Sequence, residues 1–106
     1  MKAIHLNRAD IKDEDGVEIA KILYNNQTLR KLELEGNCLG PNTARHLAKA
    51  LAVNKTLQFL DLESNSLTNE TEDIDGLIDM LRSLEKNTCL LSLNLGNNKL
   101  QKAIGT

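Results

Sequence analysis

One spacing constrains this chain more than any other feature. The pattern Leu-x-x-Leu-x-Leu-x-x-Asn-x-Leu occupies positions 29–39, returns at 57–67 and returns again at 90–100. The step from Leu29 to Leu57 is 28 residues and that from Leu57 to Leu90 is 33. Five extra residues are therefore expected in the third unit, within the polar stretch from Thr68 to Asp73. A step of 28 back from Leu29 meets a weaker copy in Met1, Ile4, Leu6 and Ile11, with Ala9 in place of the asparagine. Repeats of this length are single supersecondary units that bury their apolar faces only by stacking on one another. The chain is thus read as one domain of four units, near 1–28, 29–56, 57–89 and 90–106, the last incomplete.

Each unit has a mechanical reading. In a strand, successive side chains point to opposite faces. Leu32 and Leu34 are expected to face inward, with Lys31, Glu33 and Glu35 facing out. The asparagine falls where the chain turns, and its amide can satisfy backbone groups of adjacent turns. Ala9 lacks that amide, so a looser first turn is expected. Helical periodicity follows each strand. Val17, Ala20 and Leu23 mark the first helix, Ala44, Leu47, Ala48 and Leu51 the second, and Ile74, Leu77, Ile78, Leu81 and Leu84 the third. The run Asp13-Glu14-Asp15 and the acids Glu70, Glu72, Asp73 and Asp75 suit helix N-termini, and Arg82 and Lys86 suit a C-terminus. Pro41 suits a first helical turn, and Asn26, Asn54 and Asn87 read as helix stops. The expected strands lie near 3–7, 31–35, 59–63 and 92–95, and the helices near 15–24, 42–53 and 74–86. Strands alternating with helices pair in parallel. The expected fold is therefore α/β, a right-handed βα superhelix with a concave parallel sheet of about four strands and about three convex helices.

Composition narrows the rest. Tyr24 and Phe59 are the aromatic residues of the chain, so the core must be built from aliphatic layers. The net charge of −2 leaves no basic footprint of the kind nucleic-acid binding requires. No apolar run reaches the roughly 20 residues of a membrane span, and residues 1–10 lack a signal peptide's apolar segment. No nucleic-acid or membrane partner is expected. Cys38 and Cys89 form neither a CxxC pair nor a zinc spacing, and they are read as reduced thiols of a cytoplasmic or nuclear protein. Cys89 stands where Thr28 and Thr56 stand in earlier units. Asn-x-Thr sequons occur at Asn26, Asn54 and Asn69. Two of them fall at the same point of successive units, which favours a structural role over glycosylation.

Units of about 28 residues, with a full helix and an asparagine after the strand, resemble the ribonuclease-inhibitor-like leucine-rich repeats. The segment 54–65, Asn-Lys-Thr-Leu-Gln-Phe-Leu-Asp-Leu-Glu-Ser-Asn, is also similar to repeats of tropomodulins and nucleotide-binding immune receptors. The resemblance covers nearly the whole chain but rests on scaffold residues. It implies cytosolic protein recognition on the concave face, and, through the Ran GTPase-activating proteins of the same repeat class, a distant alternative as a GTPase-activating accessory protein. Leu100 matches Leu39, which precedes a helix, yet six residues follow it, and no polar capping unit is visible at either end. The chain is accordingly read as a structural segment of a longer repeat protein, or as one whose open ends pair with a second copy.

The pleat sets out the concave face in columns. Ala3, Lys31, Phe59 and Ser92 form the first, His5, Glu33, Asp61 and Asn94 the second, and Asn7, Glu35, Glu63 and Gly96 the third. With strands about 4.8 Å apart, Glu33, Glu35, Asp61 and Glu63 form a block of carboxylates suited to a basic protein partner. Phe59 is an aromatic anchor candidate, and His5 lies beside Glu33. The partner-binding candidates are His5, Lys31, Glu33, Glu35, Phe59, Asp61, Glu63, Ser92 and Asn94. A flat strand array offers too few oxygens for calcium and no enclosed pocket for paired-carboxylate chemistry. No nucleophile stands beside a base and no glycine-rich phosphate loop occurs, so no catalytic residue, metal or cofactor is expected. The basic spot of Arg45, His46 and Lys49 on the second helix is read as a solvated outer face.

Overall fold

The computed structural model describes residues 2–68 and 74–98. It is an α/β stack in which strands β1 (Lys2–His5), β2 (Leu29–Glu33), β3 (Phe59–Asp61) and β4 (Ser92–Asn94) alternate with helices α1 (Asp13–Asn25), α2 (Pro41–Val53) and α3 (Asp75–Ser83). The strands form one parallel sheet in the order β1-β2-β3-β4. The helices pack side by side, α1 on α2 and α2 on α3. Met1, the acids Glu70, Glu72 and Asp73, the Asn69 sequon and the stretch from Lys99 through Leu100 to the C-terminus lie outside the described residues.

The leucines of the motif fill the space between sheet and helices. Leu32, Leu34, Leu39, Leu60, Leu62 and Leu67 are fully buried, and Leu47 and Leu51 meet them from α2. Each such leucine contributes about 1.5–3 kcal/mol, so the aliphatic layers supply most of the stability. The strands end one or two residues earlier than the leucine pattern predicts, because the chain turns at the same place in every unit. Arg8, Gly36, Ser64 and Asn97 stand in register and all have φ between 53° and 70°. Backbone bonds nevertheless continue past the strands, from the Leu34 and Gly36 N–H groups to the carbonyls of Asp61 and Glu63 (both 2.9 Å). The third column therefore keeps the expected register.

Two asparagine ladders hold the units in that register. In the expected one, the Asn65 amide donates to the carbonyls of Leu34 (2.9 Å) and Leu62 (3.0 Å) while its oxygen accepts the Leu39 N–H (3.1 Å). Asn98 repeats this on Leu62, Leu95 and Leu67. Asn37 does the same on the first unit, accepting the N–H groups of Ala9 and Ile11 (both 3.0 Å) and donating to Leu6. Each amide thus reaches back to the preceding unit. The turn that contains Ala9 lacks an amide of its own, as expected, but is tied from the next unit by Asn37.

The second ladder runs through the helix stops. Asn54 is buried, donates to the carbonyls of Leu23 and Asn26 (both 2.9 Å) and accepts the N–H groups of Thr56 and Leu57. Asn87 donates likewise to Leu51 and Asn54, and accepts from Cys89 and Leu90. Asn26 and Asn54 are extended, with φ of −80° and −71°, so these helices do not stop through a left-handed residue. They stop because the side chain folds the next turn around its own oxygen. Cys89 takes the threonine place, its thiol 3.4 Å from the Asn87 oxygen. Both cysteines are free thiols.

Helix α3 departs from the reading of its periodicity. Leu81 is 45% exposed, whereas Met80, outside the expected stripe, is fully buried. At a step of 33 the buried positions Thr43, Ala44, Leu47 and Ala50 of α2 correspond to Gly76, Leu77, Met80 and Ser83, the same step that joins Asn54 to Asn87. The five extra residues therefore precede the helix, between Leu67 and Gly76, in accord with the stretch expected from the sequence. Beyond Ser83 the chain tightens into i to i+3 bonds, from Leu84 to Leu81 and from Glu85 to Arg82. Gly76 sets the orientation of α3, since a Cβ there would stand 2.7 Å from the Pro41 carbonyl oxygen. Gly16 has the matching role in α1, where a Cβ would meet Thr43 Oγ1 at 2.2 Å and Leu39 Cδ2 at 2.6 Å.

Asp13, the first residue of α1, caps α2. It accepts the N–H groups of Gly40 (2.9 Å), Asn42 (3.3 Å) and Thr43 (2.8 Å) and the Thr43 hydroxyl (2.7 Å). Gly40, the N-cap of α2, has no side chain to do this. Partial burial pushes the Asp13 carboxyl up, but the Thr43 hydroxyl and the three amides together outweigh it and hold the group below its usual value.

Two outcomes follow for stability. Gly to Ala inside a helix ordinarily adds about 1 kcal/mol; Gly16→Ala is expected instead to destabilise by about 1–3 kcal/mol through overpacking. Urea unfolding followed by circular dichroism measures the sign, and a gain would show that α1 can withdraw from α2. Asp13→Ala is expected to cost about 1 kcal/mol at neutral pH. A depressed carboxyl stabilises above its unfolded pKa and loses that contribution as pH falls through the folded value. The gap between wild type and Asp13→Ala should therefore close below about pH 4; the same gap at pH 2.5 and pH 7 would rule out the ionised cap.

Candidate protein-interaction surface

The face of the sheet turned away from the helices carries the outward members of each strand. Pairing places Ala3 opposite Lys31, Lys31 opposite Phe59 and Phe59 opposite Ser92. It places His5 opposite Glu33, Glu33 opposite Asp61 and Asp61 opposite Asn94. The columns stand as the pleat predicts, because the inward leucines between them leave each strand no other register. Lys31, Glu33, Glu35, Phe59, Asp61 and Glu63 are half-buried, whereas His5, Ser92 and Asn94 are exposed. A shallow depression of about 210 Å³ runs over Lys31, Glu33, Phe59, Asp61, Ser92 and Asn94. His5, Glu35 and Glu63 border the same sheet face outside it.

The four carboxylates are not equivalent. Glu33 is paired on both sides, with the His5 ring and with the Lys31 ammonium (3.3 Å), and also accepts the Asn7 amide (3.2 Å). The His5 hydrogen bond, helped by Lys31, outweighs the opposing cost of desolvation and holds its carboxyl below the usual glutamate range. Asp61 accepts the Glu63 N–H (3.0 Å), which leaves it one uncommitted oxygen. Glu63 accepts the Asn94 amide (3.0 Å). Among the described residues, Glu35, Asp61 and Glu63 have no cation within ion-pair distance. The expected block of four negative charges is therefore a triad beside an internally neutralised Glu33. Phe59 lies alongside the triad in the next column.

Asn7, which the sequence placed in the third column but not among the binding candidates, organises the edge of this surface. Its oxygen accepts the Glu35 N–H (2.8 Å) and its amide meets Glu33. The signal for it was present, since Asn7 lies 28 residues before Glu35. Among the described residues, no group of three or more His, Cys, Asp and Glu side chains is arranged to hold a metal ion. No helix among them is long and apolar enough to cross a membrane.

No curated protein matches the chain significantly. A family model described as Leucine Rich repeat matches residues 25–48, 53–70 and 86–105, together more than half of the chain. Each matched segment spans a helix stop, a strand and the asparagine turn after it, in the register that the sheet and both ladders share. By that match and that architecture, the chain belongs to the leucine-rich-repeat family.

Proposed function

We propose that this chain is a non-catalytic recognition module of the ribonuclease-inhibitor-like class that binds a basic protein through its sheet face. Leucine-rich repeats generally mediate protein–protein interaction and are typically not catalytic. The observation that carries the finer reading is the triad of Glu35, Asp61 and Glu63, carboxylates without a cation partner among the described residues, next to the half-buried Phe59. Like charges on neighbouring strands are unfavourable for the sheet alone, and a cationic partner converts that cost into steering and register. Phe59 supplies the apolar contact such patches need at their centre. The 28-residue step and full helices support the subclass, and two free thiols support a reducing compartment, cytoplasmic or nuclear.

A second reading, self-association through the β1 edge, is favoured by one observation. Ile4 on that strand is 41% exposed and Ile22 on α1 is 65% exposed. Light scattering separates the two readings, because pairing of copies raises the mass with concentration and is insensitive to the triad.

Phe59→Ala and Asp61→Lys, alone and together, are expected to keep the wild-type circular dichroism spectrum while losing basic proteins captured from a lysate, with a loss on the order of tenfold for the double variant. Equal recovery of the same proteins by wild type and double variant would refute the sheet-face site.

A further inference from the structure

The opposite side of the molecule carries a second surface of opposite sign. Between α2 and α3 lies a cleft of about 630 Å³ whose floor includes Ala48 and Ala52. The cleft exists because those two alanines, one turn apart on α2, are too small to fill the space that the paired helices leave. The matching position to Ala52 in α1 is Tyr24. Arg45 and Lys49 line the cleft from α2, and Arg82 and Lys86 line it from α3 and the turn that follows. Helix α2 carries Arg45, His46 and Lys49 and no acid. Two acids, Asp79 and Glu85, share the lining. Neither forms an ion pair there, and among the described residues Lys49, Arg82 and Lys86 are in no ion pair at all. His46 and Lys49 also line a neighbouring hollow of about 330 Å³ between α1 and α2, with Lys21 and Tyr24. In a chain of net charge −2, positive charge is thus concentrated along one helix and the clefts beside it.

We infer that the α2–α3 cleft is a docking site for an acidic amphipathic helix of a partner protein, separate from the sheet-face site. The small apolar floor fits the narrow apolar ridge of a helix laid along it, as one helix seats between the ridges of others. Lys49 stands on one wall, and Arg82 and Lys86 stand one turn apart on the other. Acids on both flanks of the guest helix meet them, and charge complementarity sets its direction. A nucleic-acid strand fits less well. Its unbroken phosphates would run past Asp79 and Glu85, and the cleft lining includes no aromatic side chain on which bases could stack.

The test uses a fluorescein-labelled amphipathic helical peptide of Glu, Leu and Ala, about 15 residues long to match the roughly 20 Å of α2. Anisotropy gives the affinity, and amide chemical shifts of the labelled protein give the site. Binding is expected to move resonances in α2 and α3, to weaken at least about tenfold in Lys49→Glu/Arg82→Glu, and to persist in Asp61→Lys. Both reversed residues are exposed, so the fold should survive the change, and circular dichroism verifies it. No binding, binding insensitive to the reversal, or shifts confined to the sheet would each overturn the proposal. So would equal competition from polyuridine RNA or phosphatidylserine vesicles, which would reduce the cleft to a general polyanion surface.

Discussion

The asparagine amide, bonded across the boundary between consecutive units, is the interaction on which everything else here rests. A strand of three to five residues followed at once by a turn leaves several backbone donors and acceptors without partners, and burying them unpaired costs about 1–3 kcal/mol each. Asn37, Asn65 and Asn98 close that deficit after β2, β3 and β4, and Asn54 and Asn87 close it after α2 and α3. Since every one of these amides also bonds the unit before it, satisfying the backbone and stacking the units are one event. The leucines supply most of the energy of stacking. The amides decide its register, which in turn fixes which side chains share the sheet face. Asp13 extends the same logic to the helices, because the start of α2 is satisfied by a residue of the previous unit.

The sheet face was legible before any coordinates because two rules suffice for it. The leucines fix the inward direction, and alternation then fixes everything outward, so the columns through Phe59 and Asp61 could be read off at a 28-residue step. What sequence reasoning missed has a common physical origin in contacts between units. The acids at the start of α1 look like partners for their own helix dipole, and nothing local shows that Asp13 turns to Gly40 and Thr43. The periodicity of α3 offers two overlapping stripes, and the choice of Met80 over Leu81 is made by how closely Gly76 lets the helix approach Pro41. The neutralisation of Glu33 by His5 and Lys31 was partly within reach, since both neighbours lie in the predicted columns, but the rotamers that close the pairs are not encoded in spacing.

The net charge conceals a division of the surface. Among the described residues, Glu35, Asp61 and Glu63 on the sheet side have no cation within ion-pair distance, and Lys49, Arg82 and Lys86 beside α2 and α3 pair with no acid, although Asp79 and Glu85 stand among them. A repeat architecture makes such segregation easy, because outward strand positions and outward helix positions lie on opposite sides of one thin aliphatic core. A screened interaction between the two sides is weak across that thickness at physiological salt, so each face can evolve its own partner without penalty from the other.

Asn54 carries a consequence for where a chain of this kind can be made. With Lys55 and Thr56 it spells the acceptor triplet for N-linked sugars, yet in the folded molecule its nitrogen is the hydrogen donor to Leu23 and Asn26. A sugar on that nitrogen and the rung between the first two helices are mutually exclusive, since the same atom must either carry the glycan or sit buried at 5% exposure. A chain that met the glycosylation machinery before folding would lose a rung of its scaffold, so the architecture and the compartment of synthesis are coupled through a single amide.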